Sequence, residues 1–257
     1  MPFESFSQMF VALALVLPRI AAACLLLPYF TAEIVPPMVR NVFFVSLALA
    51  VMPLALAAPV PPARHGAALI PVVLKEIFIG VSLGFSFSIV FWAMEGAGQV
   101  IDAKIGTSTV QLSDPLTGQQ TTLIGAYMGR LAGYMFAAFG GLRMFIDLVL
   151  SSFTVWPVQA PLPDLAAVGA LFFIQRFDDL MALILLLAAP ALCVLTLLEF
   201  GLGLVNRYAP QLNVFTLSLA LKAWIAILVL LLTVGAVGSF ILDWLAGQRG
   251  LLQMLPF

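Results

Sequence analysis

Long apolar runs alternate with short polar or proline-rich breaks along this chain. A helix needs about 20 apolar residues to cross roughly 30 Å of hydrocarbon, and runs of suitable length predict six such helices. They cover residues 8–30, 39–58, 67–94, 123–150, 179–205 and 214–245. Proline ends helices because it lacks an amide hydrogen and restricts the residue before it. It marks the connections VPPM (35–38), APVPPAR (58–64) and APLPD (160–164).

A shorter apolar run at residues 165–174 is about half a bilayer deep, which favours an interfacial or re-entrant piece. The polar residues QRFDD (175–179) after it have the character of a helix start and predict that the next span begins there. The pattern as a whole predicts an all-α, membrane-protein-like fold of helical hairpins with about six long apolar helices. We expect residues 1–257 to form one helical subunit without a separate soluble domain.

The first apolar run is predicted to be a retained helix. A cleavable signal peptide begins with a basic region, whereas the only charge before Arg19 is Glu4. Arg19 also interrupts the apolar core that a signal peptide needs.

The one extended polar stretch occupies residues 94–122. Glu95, Gln99 and Asp102 are spaced i, i+4 and i+7, so they form a polar stripe on a continuation of the preceding helix. Two carboxylates with an amide between them could serve a proton relay. A hydrated helix face or a contact with another subunit explains the same spacing, and both interpretations stay open.

After Gly106 the residue types change to those of turns, because Asp114-Pro115 and Thr117-Gly118 favour reversal of the chain. Asp114 is the only charge in this stretch, whereas a disordered loop is normally richer in charge. A neutral polar segment suits the lining or plug of a pore, and a plain surface loop is the alternative. The candidate plug residues are Gly106, Thr107, Ser108, Thr109, Val110, Gln111, Leu112, Ser113, Asp114, Pro115, Leu116, Thr117, Gly118, Gln119, Gln120, Thr121 and Thr122.

Composition places the chain in or at a membrane. It is 63% hydrophobic and only 9% charged, whereas a soluble domain carries about 25% charged residues. The net charge of −1 excludes a strongly basic surface, so we expect no nucleic-acid partner. Lys and Arg are scattered on both sides of any alternating topology, so the positive-inside rule predicts no orientation.

Eight charges fall within the apolar runs or at their inner ends. Each would cost about 2.5 to 3.5 kcal/mol if it faced lipid at mid-membrane, so we expect pairing, contact with partner subunits or a hydrated interior. Arg143 and Asp147 are four residues apart, the spacing of a helical ion pair. Structural pairing and a role along a transport path both stay open. The eight are Arg19, Lys75, Glu76, Arg130, Arg143, Asp147, Glu199 and Lys222.

No pattern for catalysis, metal binding or cofactor binding is visible. His65 is the only histidine and has no Cys or carboxylate at metal-ligand spacing. The two cysteines lie in apolar runs and have the character of small buried hydrophobes. Gly80 and Gly84 give the spacing that permits close helix approach, and Gly140-Gly141 predicts a kink or a close contact.

Several blocks together resemble the export-gate subunits of type III secretion systems. That family is called FliR in flagella and SctT, SpaR, YscT or HrcT in injectisomes. The Trp-Pro at 156–157 and the GQQ at 118–120 favour the injectisome branch. The family often has Arg before the glycine that opens the loop, whereas this chain has Lys104-Ile105-Gly106, which lacks a bidentate guanidinium. The blocks are PRI (18–20), EGAGQVIDAKIG (95–106), DPLTGQQTT (114–122), GGLRMFIDLVLSSFTVWPV (140–158) and RYAPQLNVFTLSLALK (207–222).

The resemblance implies a non-enzymatic subunit of a bacterial inner-membrane export gate. Family members join FliP/SctR-type and FliQ/SctS-type subunits in a cone-like helical portal, with an FlhB/SctU-type switch protein around it. Much of the portal is raised above the membrane plane, and unfolded substrates thread past a plug that corresponds to the loop after Gly106. A stand-alone small-solute transporter or channel is the alternative. A membrane enzyme would depend on Glu95, Asp102 or His65.

The stretch NRYAPQLNVF (206–215) is predicted to break a helix, with Pro210 ending one span and Asn213 capping the next. In a multi-subunit portal its polar side chains can satisfy the helix ends of neighbouring chains. The residues predicted to act in assembly or as intramembrane polar groups are Arg143, Asp147, Glu199, Arg207, Gln211, Asn213 and Lys222.

Overall fold

The computed structural model describes residues 2–30, 35–57, 69–106, 112–113, 120–158, 165–208 and 214–248. The all-α prediction is confirmed, since helices dominate these ranges. A single 3-10 turn, Pro28–Phe30, and one pair of two-residue strands, β1 (Leu112–Ser113) and β2 (Gln120–Thr121), accompany them. The helices are α1 (Pro2–Leu26), α2 (Pro37–Ala57), α3 (Ile70–Ile105), α4 (Leu123–Ala138), α5 (Gly141–Val155), α6 (Leu165–Tyr208) and α7 (Val214–Gln248).

Four helices in the described residues, α1, α3, α6 and α7, are long and apolar enough to cross a membrane. Helices α4 and α5 qualify only as a pair, and α2 is a shorter apolar helix. The prediction of about six long helices is therefore close. The polar stripe continues the third span as expected, because α3 runs on to Ile105.

The predicted fourth span, residues 123–150, is two helices with a bend of 71° between them. Gly140 lies at the bend with φ 77° and ψ 17°, a left-handed conformation that side chains with a Cβ disfavour. The kink expected at Gly140-Gly141 is confirmed, and it divides the apolar run into α4 and α5.

The interpretation of residues 165–174 as a separate interfacial or re-entrant piece is wrong. Helix α6 is continuous over 44 residues and passes straight through residues 175–179. That stretch contains neither Pro nor Gly, the residues that most disfavour a helix. Gln175, Asp178 and Asp179 are exposed, so their polar side chains can face water while the helix backbone keeps its hydrogen bonds. At 1.5 Å per residue, α6 is about 66 Å long, roughly twice the hydrocarbon thickness.

Two compact units share the chain. The first comprises residues 1–88, 140–176 and 246–257, and the second comprises residues 89–139 and 177–245. In the first unit, a Cβ on Gly80 would lie 2.3 Å from the Arg19 carbonyl oxygen, and a Cβ on Gly84 would lie 2.5 Å from that of Ala23. The close helix approach expected from this glycine pair is therefore confirmed between α1 and α3.

Helices α6 and α7 are much less covered than α3. Within the apolar stretch of each helix, 22% of α6 and 22% of α7 is buried inside the protein, against 72% of α3. Large apolar side chains such as Phe200, Trp224 and Leu232 are more than two-thirds exposed. These two helices thus present apolar faces to lipid or to other proteins.

Candidate functional site

Asp102 lies at the point where the polar segment leaves α3. The helix ends at Ile105, and Gly106 follows with φ 96°, the left-handed conformation that commonly ends helices. The Gly106 amide donates to the Asp102 carbonyl oxygen at 3.0 Å. This is the i→i−4 bond that ends α3, and the polar segment begins there.

The carboxylate of Asp102 bonds α4, the helix that follows the polar segment. Asp102 Oδ2 accepts hydrogen bonds from the amides of Ile124 at 2.7 Å and Gly125 at 3.2 Å. These amides belong to the first turn of α4, where helix donors lack intrahelical partners and a negative charge is favourable. Asp102 is buried, with 2% of its surface exposed. Its carboxylate caps α4 from a different helix.

Thr122 occupies the N-cap position of α4 but makes no capping bond. Its backbone is extended, at φ −81° and ψ 157°, as an N-cap residue requires. Its Oγ1 is buried without a hydrogen-bond partner among the described atoms. The donors that an N-cap side chain ordinarily satisfies are those taken by Asp102.

Two glycines bring the backbones of α3 and α4 together beside this cap. A Cβ on Gly98 would lie 2.6 Å from Gly125 Cα and 2.7 Å from the Ile124 carbonyl oxygen. The remainder of the polar stripe lies along the same contact. Gln99 Nε2 donates to Glu95 Oε1 at 3.3 Å. The stripe residues differ in environment, because Gln99 is exposed, Glu95 is half-buried and Asp102 is buried.

Three helices meet in an ion-pair cluster near the end of α3. Lys104 Nζ lies 2.5 Å from Glu199 Oε2, and Lys222 Nζ lies 2.7 Å from Glu199 Oε1. Each carboxylate oxygen of Glu199 thus bonds one lysine, from α3 on one side and α7 on the other. A single-point donor such as the Lys104 ammonium suffices for this contact.

The first unit holds a second cluster, at the C-terminal end of α5. Arg19 and Glu76 are fully buried and paired, Nε to Oε2, at 2.6 Å, and Lys75 Nζ lies 3.0 Å from Glu76 Oε1. Arg19 also donates to the carbonyl oxygens of Ser152 at 3.0 Å and Trp156 at 2.9 Å. Arg19 therefore satisfies carbonyls at the end of α5, and Lys75 Nζ donates to the Val158 carbonyl oxygen just beyond it at 2.8 Å. One carboxylate offsets the charge of both cations.

The remaining predicted residues are not brought into these clusters. Arg143 and Asp147 form the expected i, i+4 pair at 3.8 Å, and both are well exposed. Arg207 is exposed in the last turn of α6. Of the candidate plug, β1 pairs antiparallel with β2 in the register Leu112 with Thr121. Outside the described residues lie 107–111, 114–119, His65, Gln211 and Asn213.

Sequence reasoning missed the groups that complete both clusters. It placed Glu199 and Lys222 among intramembrane charges without naming Lys104 as their partner, and it did not pair Arg19 with Glu76. The small residues Gly98 and Gly125, one on each side of the polar segment, carried a usable signal for a close contact. Among the described residues, no group of three His, Cys, Asp or Glu side chains could hold a metal ion.

The fold and the site define a multi-pass helical membrane protein in which Asp102 of one long helix caps the next helix along the chain. The chain belongs to the bacterial export proteins, family 1, which it matches over residues 10–247. The resemblance to the FliR/SctT family is thereby confirmed, and with it a role in a bacterial secretion-export apparatus.

Relatives from both branches of the family are similar over most of the chain. Yop proteins translocation protein T of Yersinia pestis is 32% identical over 85% of this chain and 84% of its own length. The surface presentation of antigens protein SpaR of Salmonella typhimurium is 34% identical, covering 85% and 81%. The flagellar biosynthetic protein FliR of Bacillus subtilis is 28% identical, covering 91% and 90%. Identity is higher to these two injectisome proteins, in line with the branch expected from the sequence.

Proposed function

We propose that this chain is an export-gate subunit of a type III secretion system of the injectisome kind, located in the bacterial inner membrane. It forms part of the portal through which unfolded proteins pass, and residues 106–122 form its plug. The observation that carries the proposal is that Asp102, in the last turn of α3, caps the first turn of α4, which brings the two ends of this segment together. A polar segment whose two ends lie close together suits a plug that can enter a pore and be displaced.

The long helices support a place in a multi-subunit portal. Helix α7 has 35 residues, about 52 Å at 1.5 Å per residue, and α6 is longer still. Both exceed the hydrocarbon thickness of about 30 Å. Their exposed apolar faces suit cover by other apolar helices above the membrane as well as by lipid. FliP/SctR-type and FliQ/SctS-type subunits are the proposed neighbours, with an FlhB/SctU-type protein around them.

The buried charges favour a structural role over substrate coordination. Glu76 is bonded by Arg19 and lies beside Lys75, and Glu199 is bonded by two lysines. Charges that are paired inside the fold leave little capacity for binding a small solute. This argues against a stand-alone transporter, whose intramembrane charges would coordinate its substrate.

The plug is tested by shortening it. Gly106 and Ile124 both bond to Asp102, so the segment's ends are close enough for a short Gly-Ser linker to replace residues 108–120. We expect the co-expressed complex to assemble in normal yield and the inner membrane to leak ions and small molecules. A cut of similar length in the proline-rich connection 58–69, bridged by the same linker, is the control and should stay tight. A shortened plug that stays tight and only abolishes assembly would contradict the assignment.

The partners are tested by purification. The tagged chain, co-expressed with the other gate subunits, should co-migrate on native gels with several copies of small helical proteins. A solute transporter would instead retain transport when reconstituted alone. Transport by the isolated chain, without co-migrating subunits, would overturn the proposal in favour of that alternative.

A further inference from the structure

We propose that the second unit meets lipid through one wall only, formed by the uncharged stretches 180–198 of α6 and 223–242 of α7. This inference rests on the proposed function in one respect, the location in a membrane. It assigns which surface of the subunit faces the bilayer and which does not.

The two stretches match the thickness of a bilayer. They contain 19 and 20 residues without a charge, which is about 28 and 30 Å of helix at 1.5 Å per residue, and hydrocarbon is about 30 Å thick. Lys222 Nζ bonds Glu199 Oε1 at 2.7 Å. Since α6 ends nine residues after Glu199 and α7 begins eight residues before Lys222, the stretches lie side by side in opposite directions.

Charged residues stand at both ends of this pair of stretches. The partly exposed cluster of Glu199 with its two lysines lies at one end, and three exposed carboxylates lie at the other. Trp224 and Trp244 lie near the two ends on α7, and Trp is enriched where a membrane meets water. The pair therefore has the boundaries of a membrane-crossing surface. The three carboxylates are Asp178, Asp179 and Asp243.

The side chains between these ends suit hydrocarbon. Thr196, Thr233 and Ser239 carry the hydroxyl groups of the two stretches, and each donates to a backbone carbonyl oxygen of its own helix, at 2.7, 3.0 and 2.9 Å. Lipid offers no hydrogen-bond partner, so polar groups that face it must be satisfied in this way. The exposed side chains in the middle are large and aliphatic, such as Leu185 (60%) and Leu232 (76%).

Helix α4 gives the same unit an exposed face of different chemistry. Tyr127, Arg130 and Tyr134 are exposed and recur every three or four residues, so they share one face of the helix. An arginine that faces lipid is costly, whereas Tyr and Arg are enriched at the centres of protein interfaces. This face therefore suits other subunits or water.

Contacts within the unit place Arg130 at the depth of the uncharged stretches. A Cβ on Gly129 would lie 3.7 Å from Glu95 Cβ of α3, and one on Gly96, the next residue of α3, would lie 2.9 Å from Ile184 Cδ1 of α6. The α4 face and the α6–α7 wall thus share a level along the helices but differ in chemistry.

The test compares two positions of equal exposure, Leu232 (76%) on α7 and Tyr134 (75%) on α4. Each is replaced by Cys and given a nitroxide label, in a Cys193→Ala background because Cys193 is exposed and Cys24 is buried. The chain is co-expressed with the other gate subunits, purified with whatever accompanies it and placed in vesicles of phosphatidylethanolamine and phosphatidylglycerol. Dissolved oxygen relaxes a label that faces hydrocarbon, and a water-soluble nickel complex relaxes one that faces water.

We expect oxygen to dominate at Leu232, and at Leu228 one turn earlier, but not at Tyr134. Little relaxation by either reagent at Leu228 and Leu232 would mean that other subunits cover the wall, and would overturn the inference. Dominant oxygen at Tyr134, or dominant nickel complex at Leu232, would also overturn it.

These outcomes are separate from those of the proposed function. If the chain co-purifies with small helical subunits and Leu232 is covered, the portal assignment stands and this inference alone falls. If the chain purifies and transports alone while Leu232 faces lipid and Tyr134 does not, the inference stands and the proposed function falls.

Discussion

Arg19 on α1 and Glu76 on α3 form an ion pair of 2.6 Å in which neither side chain is exposed. Burial of a charge is unfavourable unless a partner and further hydrogen bonds compensate it. Here the guanidinium is also bonded to the Ser152 and Trp156 carbonyl oxygens and lies 4.1 Å from the Phe153 ring centre. One arginine therefore joins α1, α3 and the end of α5.

Glu76→Leu should destabilise the chain by about 3 to 5 kcal/mol, because it leaves the buried Arg19 guanidinium without its counter-ion. The measurement is thermal or denaturant unfolding of the purified chain in detergent. Arg143→Ala is the control, since Arg143 is 90% exposed and its pair should contribute at most about 0.5 kcal/mol.

The double variant Arg19→Met with Glu76→Leu should be less destabilised than Glu76→Leu alone. It removes the unpaired guanidinium. The Ser152 carbonyl oxygen keeps its bond from the Trp156 amide at 2.8 Å, and loss of the Arg19 bond to the Trp156 carbonyl oxygen should cost about 1 to 3 kcal/mol. A loss in the double variant equal to the sum of the losses in Glu76→Leu and Arg19→Met would mean that the pair is not coupled.

Gly80→Ala should prevent close packing of α1 on α3, because the new Cβ would meet the Arg19 carbonyl oxygen at 2.3 Å. That atom is backbone and cannot turn aside, so the helices must separate, and we expect a loss of about 1 to 3 kcal/mol in unfolding free energy. Gly203→Ala in α6 is the matched control. A Cβ there meets nothing within 4 Å, so the higher helix propensity of Ala should leave the stability of the chain unchanged or raise it by up to about 1 kcal/mol.

These contacts show what the sequence can and cannot predict. Apolar length identified most of the helices, and Gly140 marked the bend, because both depend on local chemistry. The continuity of α6 through Asp178 and Asp179 was missed because a polar pair on an exposed face does not stop a helix. Spacing placed Asp102 on a polar stripe of α3, but the helix that it caps begins 21 residues after it, at Leu123, and no periodicity encodes that contact.

Glu199→Gln should loosen the junction of α3, α6 and α7, because it removes the carboxylate shared by Lys104 and Lys222. The cluster is partly exposed, so each pair should contribute about 0.5 to 1 kcal/mol. Lys104→Met and Lys222→Met should each cost less than Glu199→Gln, and unfolding of the chain in detergent ranks the three. Lys104→Arg should retain the pair and is the conservative control; a loss as large as that of Lys104→Met would contradict a simple ionic contact.

Arg207→Ala should weaken assembly of the complex and leave the isolated chain nearly as stable. Arg207 is exposed in the last turn of α6, where a cation interacts favourably with the helix end by about 0.3 to 1 kcal/mol. Arg207→Lys keeps that charge but loses the planar guanidinium that can bond two acceptors at once. If Arg207 satisfies carbonyls of a neighbouring chain, the yield of co-purified subunits falls in both variants. A normal yield in Arg207→Lys alone would show that the charge at the helix end is what matters. A normal yield in both variants would show that the stretch 206–215 is an ordinary connection between α6 and α7.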